Sequence, residues 1–197
     1  MAKFSYLWSN RVKPPIGSLL FLKVWLKRLI SLPELTKRNI RRFKLIQNGA
    51  KISETAEIGQ VEIGGAKKLL AIGSFSFLGR VNIALHDQLI IGDYVCINDG
   101  VEILTASHDV QDPLWRHKKA KIIIDDYVWI GTGAMILPGV HLGKGCVVGA
   151  RAVVSKSVLP GDIVVGNPAR PVSTKRSKEL NYNPCEFLAS NRCWLVG

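Results

Sequence analysis

This chain of 197 residues is poor in several features that would mark common classes of protein. Cysteine is scarce: Cys96, Cys146, Cys185 and Cys193 lack the close spacing of a small disulfide scaffold. Hydrophobic runs are short, and no uncharged stretch approaches the ~20 apolar residues that span a bilayer. No secretory apolar core with a cleavage site is visible, so a cytoplasmic chain is expected. Acidic residues are nearly missing from positions 1–50, where eleven Lys/Arg face one carboxylate, Glu34. Positions 51–197 carry sixteen Lys/Arg against fourteen Asp/Glu, so the net charge of +12 belongs mostly to the N-terminal extension. That extension has neither an interleaved aromatic platform nor a helix-turn-helix pattern, and nucleic acid is not expected as a partner.

What the chain has instead is a period of six. Units open at Ile91, Ile97 and Ile103, with Val95, Val101 and Ser107 at their fifth positions. After a break the register resumes at Ile124, Ile130, Ile136, Leu142, Val148 and Val154. The fifth positions there are Val128, Ala134, Val140, Cys146, Ala152 and Val158. A hexapeptide repeat with aliphatic first and small or β-branched fifth positions predicts a parallel β-helix. Each unit is a short strand and a tight turn, three units close one triangular coil, and both positions point inward. Cys146 is then a small core residue. Second-position glycines, Gly92, Gly131, Gly143 and Gly149, are expected to supply unusual backbone angles at the turns. A β-sandwich would need period-two alternation and hairpin signals, which the stretch from Ile124 to Leu159 does not have.

The expected organisation is a basic, partly helical extension over 1–50, a β-helix over 51–172 and a C-terminal tail over 173–197. Upstream, Ile52, Ile58, Ile72 and Leu78 open plausible units, the register slips by one before Ile91, and Gly64-Gly65 and His86-Asp87 mark corners. Residues 109–123, with Asp112-Pro113, Trp115 and Arg116, read as a loop ejected from a corner of the prism. In the extension, Leu19 to Ile30 is helical in pattern, with Lys23, Lys27, Arg28 and Ser31 on one face, and a second helix is expected from Pro33 to Gln47. Two uses compete for the first helix. It can lie on an anionic membrane as a peripheral contact at its inner face, or it can cap the open end of the solenoid. The tail either packs on the side of the β-helix or is loosely held.

Six segments carry a resemblance: Thr-Ala-Ser-His-Asp at 105–109, Asp112-Pro113, Val-Trp-Ile-Gly at 128–131, Ile-Leu-Pro-Gly-Val at 136–140, Gly-Ala-Arg at 149–151 and Gly-Asn-Pro-Ala-Arg at 166–170. In order and spacing the chain resembles the left-handed β-helix, hexapeptide-repeat acyltransferases over about residues 52–172. It looks closest to the O-acetyltransferases of bacterial exopolysaccharide synthesis, the colanic acid type. The resemblance implies a left-handed coil, acetyl-CoA as co-substrate without a metal, and a homotrimer with active sites between subunits.

His108 aligns with the family's catalytic histidine. Acyl transfer to a hydroxyl needs a base, and imidazole titrates near neutrality. Trp129 aligns with an aromatic along the acyl-CoA channel. Thr132, Ala150 and Ser155 match positions whose backbone groups bind the pantetheine amides, and Lys156 and Arg170 could meet CoA phosphates. Ser173 stands where some relatives carry a further basic residue. For a saccharide acceptor, Asp87 and Asn98 are the candidates. Gly79 occupies the position of an asparagine used by maltose acetyltransferase-like relatives, so that subgroup's specificity does not carry over. His86 and His117 could line the acceptor site. By hexad counting, His141 shares the sixth position with His108 and is expected one coil away in its column, as a surface residue. The resulting expectation is O-acetylation of a saccharide hydroxyl. Rival readings are N-acetylation of an amino sugar and a non-catalytic β-helix scaffold. A zinc site of the carbonic anhydrase type is disfavoured, because His86, His108, His117 and His141 lack that family's ligand spacing.

Overall fold

The computed structural model describes residues 4–197. The first three residues of the basic extension therefore lie outside the described residues. From residue 51 onward the six-residue period does what its chemistry requires. Short strands hydrogen-bond to the coil above and below, and the first-position aliphatics stack into three ladders. The first face stacks Ile52, Ile72, Ile91, Ile124 and Leu142 in parallel register. The second stacks Ile58, Leu78, Ile97, Ile130, Val148 and Val164. The third stacks Ile63, Ile83, Ile103, Ile136 and Val154. Apart from Ile52 and Ile63 these side chains are buried, and fifth-position residues such as Val128, Ala134 and Cys146 fill the corners at 0% exposure. Each fully buried aliphatic contributes about 1.5–3 kcal/mol, so the ladders are the main source of the prism's stability. Burial also pushes the Cys146 thiol up to about 12, which suits an inert core residue.

The second-position glycines have a different cause from the one expected. Gly92, Gly131, Gly143 and Gly149 are not among the residues with positive φ. They are needed because coils approach closely. A Cβ at Gly92 would lie 2.5 Å from Asp126 Oδ1, and one at Gly131 would lie 2.8 Å from the Ala150 nitrogen. The left-handed residues fall two places later, at the fourth position of most units. Between the first and second faces this column holds Phe75, Tyr94 and Tyr127, at φ 54°, 56° and 59°. Their rings stack, with centroids 5.3 and 4.8 Å apart.

The break in register is larger than residues 109–123 and begins earlier. The chain leaves the prism after Thr105, and Ala106–His108 pairs antiparallel with His117–Lys119. It is back by Ile122, which pairs with Leu89 and is fully buried. This detour shifts the columns. His141 pairs with Ile123, which pairs with Ile90. The expectation that His141 stacks in the column of His108 is therefore wrong, because His108 is no longer on the prism wall.

At the N-terminus, helix α1 spans Phe4–Ser9 and helix α2 spans Leu19–Gln47 as one piece, with Pro33 inside it. Ser18 caps α2 by accepting from the Phe21 nitrogen at 3.1 Å. The C-terminal half of α2 leads into the first coil, where Leu45 and Ala50 pack against the core. Arg28, assigned by pattern to a polar face, is 1% exposed. Its guanidinium donates to the carbonyls of Val12, Cys193 and Trp194. The last two belong to helix α3, Ala189–Leu195, so Arg28 meets the negative end of that helix.

The tail packs. Arg170–Lys175 adds an antiparallel strand to Asp162–Val165. Arg176 then donates to the Tyr127 carbonyl at 2.7 Å and to the Tyr182 hydroxyl at 2.6 Å. In the aromatic corner column, Gly145 follows Tyr127, and a Cβ there would strike Leu180 at 2.8 Å. The tail thus occupies space that larger residues fill in earlier coils.

Candidate functional site

The corner between the third and first faces carries the proposed base. Thr105, fully buried, is the last residue on the prism before the detour. Its hydroxyl accepts from the backbone nitrogens of His86 and Asp87, at 2.7 and 3.0 Å, and donates to the Ala84 carbonyl at 2.9 Å. One side chain therefore fixes the corner of the preceding coil against the root of the His108 hairpin. Asp87 lies at this corner, where its Oδ1 accepts from the Gln88 nitrogen at 2.7 Å.

Beyond Thr105 the hairpin brings three imidazoles together. The His108 and His117 rings meet edge to face at 4.3 Å between centroids, and His117 meets His86 at 5.7 Å. Positive charge on His108, then desolvation, His86 and Lys119, hold His117 below the ordinary imidazole range. No group of His, Cys, Asp and Glu among the described residues is arranged to hold a metal ion. The convergence of His86 and His117 on His108 was not legible as a contact, because it depends on the hairpin's pairing of His108 with His117.

Trp115 closes the site around His108. The two rings are parallel within 10° and 3.5 Å apart between centroids. His108 Nδ1 lies 2.6 Å from the Trp115 carbonyl oxygen. A carbonyl only accepts, so Nδ1 carries the hydrogen, and in the neutral ring the lone pair is on Nε2. Trp115 itself sits in the left-handed region at φ 48°. Asp112 holds that conformation: its carboxylate accepts from the nitrogens of Leu114 and Arg116 and from the Arg116 guanidinium, while its carbonyl accepts from the Trp115 nitrogen. The guanidinium hydrogen bond, followed by that from Leu114, holds the Asp112 carboxyl below the usual carboxylate range. Sequence reading picked out Asp112-Pro113 as a segment of the resemblance and Trp115 as a loop residue, and gave neither a part in orienting His108.

The other candidates fall elsewhere on the prism. Trp129 lies on the second face beside Cys96 and Val147 and is 44% exposed. With Cys96 and Asn98 it lines an open groove of about 630 Å³, whose far wall is Tyr182, Phe187 and Arg176 of the tail. Burial pushes the Cys96 thiol up to about 11, against the opposing charge of Arg176. Thr132 and Ala150 continue the corner above Asn98: the Thr132 carbonyl accepts from Arg151, and the Asp99 carbonyl accepts from Gly133. Ser155 and Lys156 follow the third face, on the His108 side. Lys156 and Arg170 line one shallow groove near the C-terminal end of the prism. Within one chain, then, Asp87, Ser155 and Lys156 share a corner column with the root of the His108 hairpin. Asn98 lies at the next corner, beside Trp129, one place before the column of Thr132 and Ala150.

Known proteins place this arrangement. Residues 121–156 match the family model described as bacterial transferase hexapeptide (six repeats), which covers most of the unbroken run of hexads. The Escherichia coli protein WcaF, named for an acetyltransferase of colanic acid biosynthesis, is 36% identical over 132 residues, covering 66% of this chain and 71% of that one. A chloramphenicol acetyltransferase of Escherichia coli is 33% identical over 114 residues, 47% of this chain and 54% of the relative. The chain spans about half the length of several such curated relatives. The crystal structure of a hexapeptide-repeat-containing acetyltransferase from Vibrio cholerae superposes with a TM-score of 0.64 at 25% identity, covering 88% of this chain and 99% of that one. The fold, the run of hexads and the extent of the match to WcaF agree: this chain belongs to the bacterial hexapeptide-repeat transferase family.

Proposed function

We propose that the protein transfers an acetyl group from acetyl-CoA to a saccharide hydroxyl, with His108 as general base. The observation that carries this reading is the bond from His108 Nδ1 to the Trp115 carbonyl, which makes Nε2 the accepting nitrogen whenever the ring is neutral. In the proposed reaction Nε2 takes the proton of the acceptor hydroxyl as its oxygen attacks the thioester carbonyl. The tetrahedral oxyanion is held by backbone N–H groups. It collapses to the acetyl ester as the C–S bond breaks, and the imidazolium returns its proton to the CoA sulfur. No acyl-enzyme is formed.

Similarity supports the donor and acceptor classes. A galactoside O-acetyltransferase of Lactococcus lactis is 34% identical over 92 residues, 44% of each chain. The separation of candidates on the prism supports an assembly. The donor candidates beside Trp129 and the base at His108 lie at different corners of one chain, and a neighbouring copy can bring the two corners together. The functional unit in this reading is a homotrimer with each site shared by two subunits. The test is release of free CoA from acetyl-CoA by purified protein, followed colorimetrically with neutral sugars, sugar nucleotides and amino sugars as acceptors. Saccharide-dependent release that His108→Ala abolishes supports the reading. Release that is independent of acceptor, or unaffected by that substitution, overturns it. An amino sugar as the best acceptor would replace O-acetylation by N-acetylation.

A further inference from the structure

One side of α2 has no partner. Leu19, Leu22, Leu26, Leu29 and Ile30 recur at spacings of three and four and so share a helix face. They are 58% to 76% exposed, and Ile16, just ahead of the helix, is 92% exposed. The opposite side is fully used: Val24, Arg28 and Leu35 are buried, and Arg28 and Leu35 contact the α3 region. Capping the prism therefore explains one side of α2 and leaves the other unexplained.

Charge says what covers it. Lys23 and Lys27 lie along one flank of the stripe and are exposed, with Lys27 within 3.3 Å of the Gly197 carbonyl, and Lys37 is exposed beyond Pro33. Glu34, the one acidic side chain of the extension, is engaged by Arg38 and Arg41. A second copy of the helix is a poor occupant. The Leu19-Leu22-Leu26-Leu29 pattern lasts two heptads and is broken by Pro33 and Thr36 before the exposed Ile40 and Phe43, whereas coiled coils need three or four unbroken heptads with opposite charges at their edges. Pairing two copies would also set lysine flanks side by side. An anionic lipid surface offers the complementary charge and an apolar layer at the depth the leucines need. No helix among the described residues is long and apolar enough to cross a membrane, so the helix would lie in the plane of the interface.

We infer that α2 docks the protein on anionic lipid bilayers, with Leu19, Leu22, Leu26, Leu29 and Ile30 inserted at the acyl boundary and Lys23 and Lys27 at the headgroups. The inference does not rest on acyl transfer and is read without measuring activity. The test is co-sedimentation of the full chain with phosphatidylcholine vesicles, with and without phosphatidylglycerol. Binding is expected to the anionic vesicles and to fall with added salt. The Leu22→Glu/Leu26→Glu variant should lose binding by roughly tenfold or more. Lys23→Gln/Lys27→Gln should weaken binding to anionic vesicles by roughly fivefold per charge and leave any residual binding to neutral vesicles unchanged. All these side chains are exposed, so circular dichroism should confirm intact fold in each variant. The inference is overturned if the full chain ignores anionic vesicles, or if the leucine variant binds them as the parent does. A drop in oligomeric mass for the leucine variant by sedimentation velocity would assign the stripe to a second copy and overturn it as well.

Discussion

Asn191 Nδ2 donates a 2.6 Å hydrogen bond to Glu57 Oε1, and both side chains are buried. Asn191 lies in the C-terminal helix and Glu57 opens a strand of the first coil, so the bond ties the end of the chain to the base of the prism. Arg38 of α2 approaches the same carboxylate at 3.5 Å. Three segments distant in sequence therefore share one buried acid. Removing one partner of a buried charged pair typically costs about 3–5 kcal/mol. Glu57→Ala is expected to destabilise the protein on that order, measured as a shift in the urea unfolding midpoint. Glu186→Ala, on the exposed side of the same tail, should leave the midpoint near that of the parent.

A buried hydroxyl holds the corner below the proposed base. Thr105→Val keeps the shape of the side chain but leaves the backbone N–H groups of His86 and Asp87 without their acceptor. Orphaning buried donors costs about 1–3 kcal/mol. The variant is expected to lose stability by that amount and to lower kcat more than it raises KM for acetyl-CoA, because it loosens the root of the hairpin. A Thr105→Ser variant, which restores the acceptor, should recover most of the lost turnover. No recovery with serine would assign the effect to packing of the methyl group.

The parts of the fold written in local chemistry were legible from sequence. The hexads from Ile124 to Val158 predicted the ladders, because each inward position is set within its own unit. Upstream coils were less legible, since the first two, from Ile52 to Ile72 and from Ile72 to Ile91, exceed eighteen residues. Counting hexads across the break misplaced His141, because the count assumes that the chain stays on the prism. The helical pattern put Arg28 on a polar face, because periodicity carries no information about carbonyls 165 residues away. The site was legible as a single residue, His108, but its surroundings were not. The Trp115 carbonyl and the ring of His117, with His86 beyond it, are brought to it by the geometry of a hairpin that leaves the repeat.

The proposed donor channel makes a prediction about Trp129. Its ring stands at the mouth of the groove lined by Cys96 and Asn98. Contact with a non-reacting arm of acetyl-CoA contributes binding shared by ground and transition states. Trp129→Ala should therefore raise KM for acetyl-CoA several-fold, roughly tenfold at most for one lost aromatic contact, and change kcat little. The same groove gives an independent readout. Because burial holds the Cys96 thiol at about 11, alkylation of the native protein near neutral pH should be slow, and bound CoA should slow it further. An unchanged KM together with unprotected Cys96 would move the channel to another face.

The sharpest prediction concerns His108 and the loop that orients it. His108→Ala should lower turnover by a factor on the order of 10²–10⁴. Affinity for CoA should stay within a few fold, because the ring is assigned to proton transfer. Oligomeric mass should not change, since the side chain leaves the prism and fills none of its core. His141→Ala serves as the control: it lies on the first face, bonded to Asp125 at 2.9 Å, and should retain most activity. In the parent, kcat/KM should rise with pH as the base loses its proton, because only the neutral ring accepts one. Asp112 does not confound that profile. Its folded pKa is depressed, so the bonds that shape the Trp115 turn are present above the ordinary carboxylate value and are lost only as pH falls through the lower, folded one. Asp112→Ala should lower kcat by roughly tenfold, by releasing the turn that presents the Trp115 carbonyl to Nδ1, with KM for acetyl-CoA unchanged. A His108→Ala protein that turned over a genuine acceptor at near the parent rate would refute the assignment of the base.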